Sequence, residues 1–161
     1  MHQQIFIEEQ GLESVIDRYS EMVYKLAFSY TRNKYDADDI FQEVFLRYLR
    51  KNPTFESAEH EKAWLIRVTI NCCKKLHASA WRRRTVPFEG LEFETQEEIA
   101  LYIDLQKLPI KYRVVIHLFY YEDMSISAIS EALKMKESAV RTRLTRARQK
   151  LKEILREDYC V

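Results

Sequence analysis

ESAVRTRLTRARQKLKEILR, residues 137–156, is the stretch from which the fold of this chain can be argued. Wound as a helix at about 100° per residue, it places Val140, Leu144, Ala147, Leu151 and Ile154 on one apolar stripe, the mark of a helix packed on a core. Opposite the stripe lie Ser138, Thr142, Thr145, Arg146 and Gln149, with Arg141 and Arg148 on one flank and Arg143 and Lys150 on the other. Short side chains in the centre can reach base edges, while guanidinium groups on the flanks can clamp phosphates. A surface helix with solvated charges would mix its signs, whereas here seven basic residues stand against two acidic ones. The pattern predicts a helix that enters the major groove of DNA.

The preceding residues strengthen that expectation. Ser125 to Leu133 reads as a short helix with a serine cap and apolar positions at Ile126, Ile129 and Leu133, followed by the turn Lys134-Met135-Lys136. A short helix, a brief turn and a basic helix predict a helix-turn-helix. Upstream, Leu108-Pro109 starts a helix, and Tyr112 to Tyr121 carries Val115, Ile116, Phe119 and Tyr120 as the core beneath it.

Composition narrows the class. A chain of 161 residues suits one domain or two small ones, and with two glycines and three prolines the turns of a β-sandwich are scarce. The formal net charge of +1 conceals segregation. Residues 1–61 hold twelve acids and seven bases, residues 62–84 seven bases and no acid, residues 85–106 six acids and no base, and the remainder twelve bases and seven acids. Two basic stretches in a near-neutral chain fit a nucleic-acid binder that also shows an acidic face to a protein. Three cysteines, Cys72, Cys73 and Cys160, form no even disulfide framework and lack metal-ligand spacing, and His60 and His77 have no matching ligand pattern. Without a signal peptide or a bilayer-length apolar run, a cytoplasmic chain with no metal or cofactor and no membrane insertion is expected.

In the first half, Leu12 to Tyr30 has core-facing helical spacing after a loosely specified start punctuated by Gly11, and Thr31 to Lys34 breaks it. Asp36 to Arg50 opens with acids and closes with bases, as the helix dipole favours. Ala37, Ile40, Phe41, Val44, Phe45 and Tyr48 share its apolar face, and Leu46 stands among Asp39, Gln42 and Glu43 on the other. Such a leucine is either an ordinary exposed residue or an anchor for a protein partner. Lys51 to Glu61 reads as a loop around Phe55, and Lys62 to Trp81 as a helix. One face of that helix mixes Trp64, Arg67, Asn71, Lys74 and Lys75, with Arg82-Arg83-Arg84 beyond. Rings and cations on one face suit a single-stranded nucleic acid, although Trp64 packing on the preceding helix is the competing reading. Acidic residues 85–96, with Pro87 and Gly90, read as a flexible linker between two units, and Glu97 to Lys107 as a further helix.

Taken in order, DADDIFQEVFLRYLR, KAWLIRVTINCCKK and LPIKYRVVIHLFYYEDMSISAISEALKMKESAVRTRLTRARQKL resemble the extracytoplasmic-function sigma factors of bacterial RNA polymerase. The likeness runs from about Tyr19 to Leu155, and the chain is too short for the extra middle domain of larger sigma factors. The resemblance implies an all-α fold of two small helical domains, sigma region 2 over 1–84 and sigma region 4 over 97–161, joined by the acidic linker 85–96. It implies a promoter-specificity subunit and no enzyme, with core RNA polymerase as partner through the β′ clamp helices and the β flap.

Residue by residue, polymerase docking falls on Asp38, Asp39, Gln42, Glu43, Phe45 and Leu46. Capture of the melted minus-ten strand falls on the loop 52–61 with Phe55, and on Trp64, Arg67, Asn71, Lys74 and Lys75. Duplex reading at the minus-thirty-five element falls on Ser138, Arg141, Thr142, Arg143, Thr145, Arg146 and Arg148. An anti-sigma factor that holds the free protein inactive is a further implied partner, and a small-molecule substrate is not. The chain departs from the family at Lys134, where glycine is common in the turn, at Ser138-Ala139 in place of Gly-Thr, and at Ser127 to Ser130, where the usual scaffold acid is shifted. A stand-alone DNA-binding regulator is the alternative, but it leaves the acidic helix and the Trp64 face unexplained.

Overall fold

The computed structural model of the chain describes residues 2–79 and 95–159. Every regular element among them is a helix, and the chain divides into two compact units, Met1–Val86 and Pro87–Val161. The first holds α1 (His2–Thr31), α2 (Lys34–Lys51) and α3 (Ala58–Ser79). The second holds α4 (Gln96–Gln106), α5 (Ile110–Ile116) with a wider π-helical turn His117–Tyr121 at its end, α6 (Ile126–Leu133) and α7 (Glu137–Tyr159). The all-α expectation therefore holds. The linker expected over 85–96 falls mainly outside the described residues, as do Trp81 and Arg82-Arg83-Arg84.

In unit 1, Val23, Leu26 and Ala27 of α1, Ala37, Ile40 and Val44 of α2, and Leu65, Ile66 and Ile70 of α3 close a three-helix core. Each fully buried valine, leucine or isoleucine among them contributes roughly 1.5–3 kcal/mol. Asn33 separates α1 from α2: its Oδ1 accepts from the backbone N–H groups of Tyr35 and Asp36 at 3.0 and 3.2 Å, satisfying donors the new helix would otherwise leave open. Asn52 ends α2 in the left-handed region at φ 41°, with its N–H donating to the Tyr48 carbonyl.

Three boundaries differ from expectation. Gly11 does not punctuate, because α1 runs through it from His2. Helix α3 begins at Ala58 and not at Lys62, because the Ser57 hydroxyl accepts from the His60 N–H at 3.1 Å and Glu59 and Glu61 favour the positive end of the helix. The expected loop thus shrinks to 52–57. Residues 95 and 96, assigned to the linker, cap and open α4: the Thr95 hydroxyl accepts from the Glu98 N–H at 3.1 Å in a T-x-x-E capping arrangement.

In unit 2, α5, α6 and α7 meet around Val115, Leu118, Ile129, Val140, Leu144 and Ala147, all nearly inaccessible to water. Arg113 lies among them at 2% exposure, its Nη1 donating to the Leu108 carbonyl at 2.8 Å. Its hydrogen bond ties the residues leading into α5 to the core, since a buried cation must be given partners.

A glycine inside a helix costs about 0.5–1 kcal/mol relative to alanine when nothing requires its freedom. A Cβ on Gly11 would meet no atom within 4 Å. Gly11→Ala is expected to raise the unfolding free energy of unit 1 by ~0.5–1 kcal/mol in urea titrations followed by circular dichroism. A fall in stability would mean that α1 is not continuous there.

Candidate polymerase-docking and DNA-reading surfaces

Helix α2 carries the first candidate surface. Its buried face turns Asp39 and Gln42 outward, with Leu46 44% exposed between them. Tyr35 and Leu49 are exposed as well, so that 35, 39, 42, 46 and 49, spaced by three and four residues, make one outward stripe. Tyr35 and Leu49 were legible as members of this stripe from their spacing to Leu46, but the three sequence motifs did not single them out. Alongside, Glu43 accepts from Arg47 Nε at 2.8 Å, and this hydrogen bond holds the Glu43 carboxyl below the usual carboxylate range. Asp38 is half-buried and bonded to the Tyr24 hydroxyl, whose own pKa is raised first by burial and then by that carboxylate. Phe45 stands apart from the expected set. At 4% exposure, with its ring 4.9 Å from that of Phe41, it belongs to the core and offers no surface to a docked protein.

The second surface lies where the loop 52–57 meets α3. The Phe55 ring is 5.9 Å from that of Trp64 and 6.2 Å from that of Tyr48, and Tyr48 meets Trp64 edge-on at 5.7 Å. Trp64 is thus both packed on the preceding helix and half-exposed, so the two readings of it are not exclusive. Tyr48 donates to Glu61 Oε2 at 3.0 Å, and Arg18 lies 3.3 Å from the other oxygen, which anchors the corner to α1. Burial, then the bond to Glu61, pushes Tyr48 up to about 12. From Trp64 the exposed side chains Arg67, Asn71, Lys74 and Lys75 continue along one face. Cys72 and Cys73 are on the opposite, buried side, their thiols pushed up mainly by desolvation, as structural cysteines should be.

The third surface is the outer face of α7. The Ser125 hydroxyl caps α6 by accepting from the Ala128 N–H at 3.0 Å. Lys134 ends α6 at φ 53°, left-handed, and its N–H donates to the carbonyls of Ser130 and Glu131. The Met135 N–H reaches the Ser130 carbonyl at 3.0 Å and the Ser130 hydroxyl donates to the Met135 carbonyl at 2.7 Å, so Ser130 stitches both sides of the turn. Spacing alone gave no reason to expect that role.

On α7, Ser138, Arg141, Thr142, Thr145 and Arg146 all face solvent, and Arg143 is half-buried. Both threonine hydroxyls donate within the helix, Thr142 to the Ser138 carbonyl and Thr145 to the Arg141 carbonyl, each at 3.0 Å. Their outward offering is a lone pair and a methyl group, the latter suited to a thymine methyl. Arg148 is differently placed: its Nε donates to the Tyr120 hydroxyl at 2.6 Å and its guanidinium lies over the rings of Phe119 and Tyr120, so it braces α7 against the π-helical turn. Behind that brace, Leu101, Leu105, Tyr120, Tyr121, Leu151 and Leu155 line a groove of about 860 Å³ with Lys152 and Arg156 at its rim.

Known proteins resemble this chain in family pattern, in sequence and in fold. The Sigma-70 region 2 family model matches residues 15–83, and the Sigma-70 region 4 model matches residues 105–151. The chain is 28% identical to the ECF RNA polymerase sigma factor SigW of Bacillus subtilis over 93% of its own length and 91% of that protein. It is 29% identical to RNA polymerase sigma factor SigV of the same organism, over 91% and 93% of the two. This chain belongs to the extracytoplasmic-function sigma factors. Among solved structures, RpoE in complex with the anti-sigma factor NepR from Bartonella quintana shares the fold of this sigma factor, with a TM-score of 0.79 at 18% identity, over 91% of this chain and 98% of that one. CnrH in complex with the cytosolic domain of CnrY gives 0.70 at 26% identity, over 93% and 90%. The region 2 match spans the stripe on α2 and the corner at Trp64, and the region 4 match spans the helix-turn-helix. Sigma factors are not an enzyme family. Among the described residues no helix is long and apolar enough to cross a membrane, and no His, Cys, Asp and Glu side chains group to hold a metal.

Two outcomes follow from the geometry of this sigma factor. Lys134 holds a conformation that glycine adopts more readily, so Lys134→Gly should stabilise unit 2 by ~0.5–1 kcal/mol, whereas Lys134→Ala, which keeps the Cβ, should stay within about 0.5 kcal/mol of the parent. Thermal unfolding checks this, and destabilisation by glycine would contradict it. Tyr48 titrates higher in the folded than in the unfolded chain, so its contribution is intact below the ordinary tyrosine pKa near 10 and is lost as pH rises towards about 12. Stability measured across that window should fall less steeply in Tyr48→Phe, with the residual slope carried by the other raised groups, Tyr19, Tyr24, Cys72, Cys73 and Tyr121.

Proposed function

We propose that this sigma factor divides promoter recognition among its three surfaces, with the polymerase supplying all catalysis and the chain itself acting as no enzyme. The outward stripe of α2, with Asp38, Asp39, Gln42, Glu43 and Leu46, docks on the β′ clamp helices. An exposed leucine and tyrosine ringed by acids and amides give a docking patch both an apolar anchor and a polar rim, which supports this assignment. The corner of Phe55 and Trp64 and the face through Arg67, Asn71, Lys74 and Lys75 hold the melted minus-ten strand. Each stacked base contributes ~1–3 kcal/mol, which favours the open state of the promoter.

The face of α7 reads the minus-thirty-five duplex through Ser138, Arg141, Thr142, Thr145 and Arg146, with Arg143 towards the phosphates. The apolar groove of unit 2 receives the β flap. Residues 1–84 serve as region 2, residues 97–161 as region 4, and the acidic residues between them as the tether. Promoter and polymerase place the protein in the cytoplasm. An anti-sigma factor restrains it in the absence of signal, a reading supported by RpoE having been solved with NepR. The single observation carrying the whole is that an exposed stripe on region 2 and an exposed basic reading face on region 4 occur in one chain in the order the two family models match.

Run-off transcription with bacterial core polymerase and a library of promoter fragments tests it. The parent should start transcription from a defined subset, and Asp39→Ala/Leu46→Ala should abolish initiation at least tenfold while duplex binding persists, since a docking anchor is worth ~2 kcal/mol or more. Duplex binding without initiation from any fragment would instead make the chain a stand-alone regulator.

A further inference from the structure

The reading face of α7 carries one acid that the division of labour above leaves unused. Glu137 opens the helix, and from there to Gln149 it is the sole acidic residue against four arginines. A carboxylate facing DNA is repelled by phosphates, so it costs affinity unless it does something for recognition. Its Oε2 lies 3.3 Å from Nη2 of Arg141, one turn further on, and the two side chains are 46% and 59% exposed. An acid placed four residues before a base is the better orientation for such a pair, and an acid also suits the positive end of the helix. In water the pair contributes only a few tenths of a kcal/mol to stability, too little to explain the acid by folding alone.

We propose that Glu137 is a positioning residue for base reading: it holds one nitrogen of Arg141 so that the remaining edge of the guanidinium points at a guanine in the duplex. The inference rests on α7 being the duplex-reading helix. An untethered arginine is long and mobile and can settle on phosphates to either side, which binds every sequence alike. A guanidinium has five N–H donors; Glu137 takes one of the two on Nη2, and the other, together with Nη1, still forms the fork that guanine O6 and N7 require. As the groove displaces water, the attraction within the pair rises, and the orientation it imposes becomes firmer where it matters. The neighbouring threonines, whose hydroxyl protons go to backbone carbonyls, offer a guanidinium only a neutral lone pair, a weaker hold than the charged Glu137 carboxylate gives.

The test uses the full chain and a duplex library randomised over the upstream element, comparing parent, Glu137→Gln, Arg141→Ala and the double variant. Arg141→Ala should flatten preference at one base pair. Glu137→Gln should flatten the same base pair by roughly three- to tenfold and leave other positions unchanged, and the double variant should be no flatter than Arg141→Ala alone. Thermal midpoints of parent and Glu137→Gln should differ by no more than a few degrees, the loss of a surface pair and a helix-end charge, while the loss of preference stays confined to one base pair, which separates positioning from folding. A uniform gain in affinity across sequences would overturn the proposal and leave Glu137 as a phosphate repellent. Flattening at a different base pair, or additive effects, would overturn it in favour of a direct base contact by Glu137 itself. Initiation with core polymerase, measured on the same library, fails separately: its absence with preference intact would remove the sigma reading and leave the role of Glu137 standing.

Discussion

Everything the second unit offers to DNA depends on the burial of Val140, Leu144 and Ala147, which leaves α7 no freedom to rotate about its axis. A helix has a period of about 3.6 residues, so fixing one stripe fixes every other. With those three against α5 and α6, Arg141, Thr142, Thr145 and Arg146 can only face outward. The brace from Arg148 to Tyr120 adds a second point of attachment, a turn further along, where the apolar stripe thins to the half-buried Leu151 and Ile154. Recognition by short side chains needs this rigidity, because a hydroxyl or a guanidinium must be placed to within a few tenths of an ångström to discriminate bases.

Unit 1 solves a different problem with different means. Its loop carries few residues of its own to bury, and it is held by rings: Phe55 against Tyr48 and Trp64, with Tyr48 in turn fixed by Glu61 and Arg18. The polar part of that network is charge-assisted and partly shielded from water, which makes each bond stronger than a surface pair and binds the corner to all three helices. Rings exposed on one edge and packed on the other are preorganised for stacking without losing their place in the fold.

The fold was legible in the sequence wherever burial is periodic. The stripes of α2, α6 and α7 and the caps at Ser125 and in the break before Lys34 need only spacing and residue type. Legibility failed at ends where a cap competed with an apparent loop. Ser57 and Thr95 both accept from the N–H three residues on, and both lie in polar runs that look like linker composition. Gly11 failed in the opposite sense, because a lone glycine in a long amphipathic helix costs less than ending the helix would. Of the site, the outward residues of α7 were visible from the wheel, but the commitments of their polar atoms were not. Phe45 and Arg148 show the reason: one wheel position can be core or surface depending on what packs over it, and only the neighbours, Phe41 in one case and Tyr120 in the other, decide.

Lys134 illustrates how a departure from a family pattern can be absorbed. The turn between α6 and α7 demands a left-handed residue, and a lysine there costs about 1 kcal/mol relative to glycine. The turn is nevertheless closed by four further contacts: the Lys134 N–H to the Ser130 and Glu131 carbonyls, the Met135 N–H to the Ser130 carbonyl, and the Ser130 hydroxyl back to the Met135 carbonyl. Three of these contacts use Ser130, in the segment where the scaffold acid common to this family is shifted. Each is a hydrogen bond of about 1 kcal/mol net, so together they offset the backbone strain and keep the angle between the two helices. The pair of departures is therefore coupled: the strained lysine is tolerable because a hydroxyl three residues before the end of α6 completes the turn that glycine would otherwise have closed unaided.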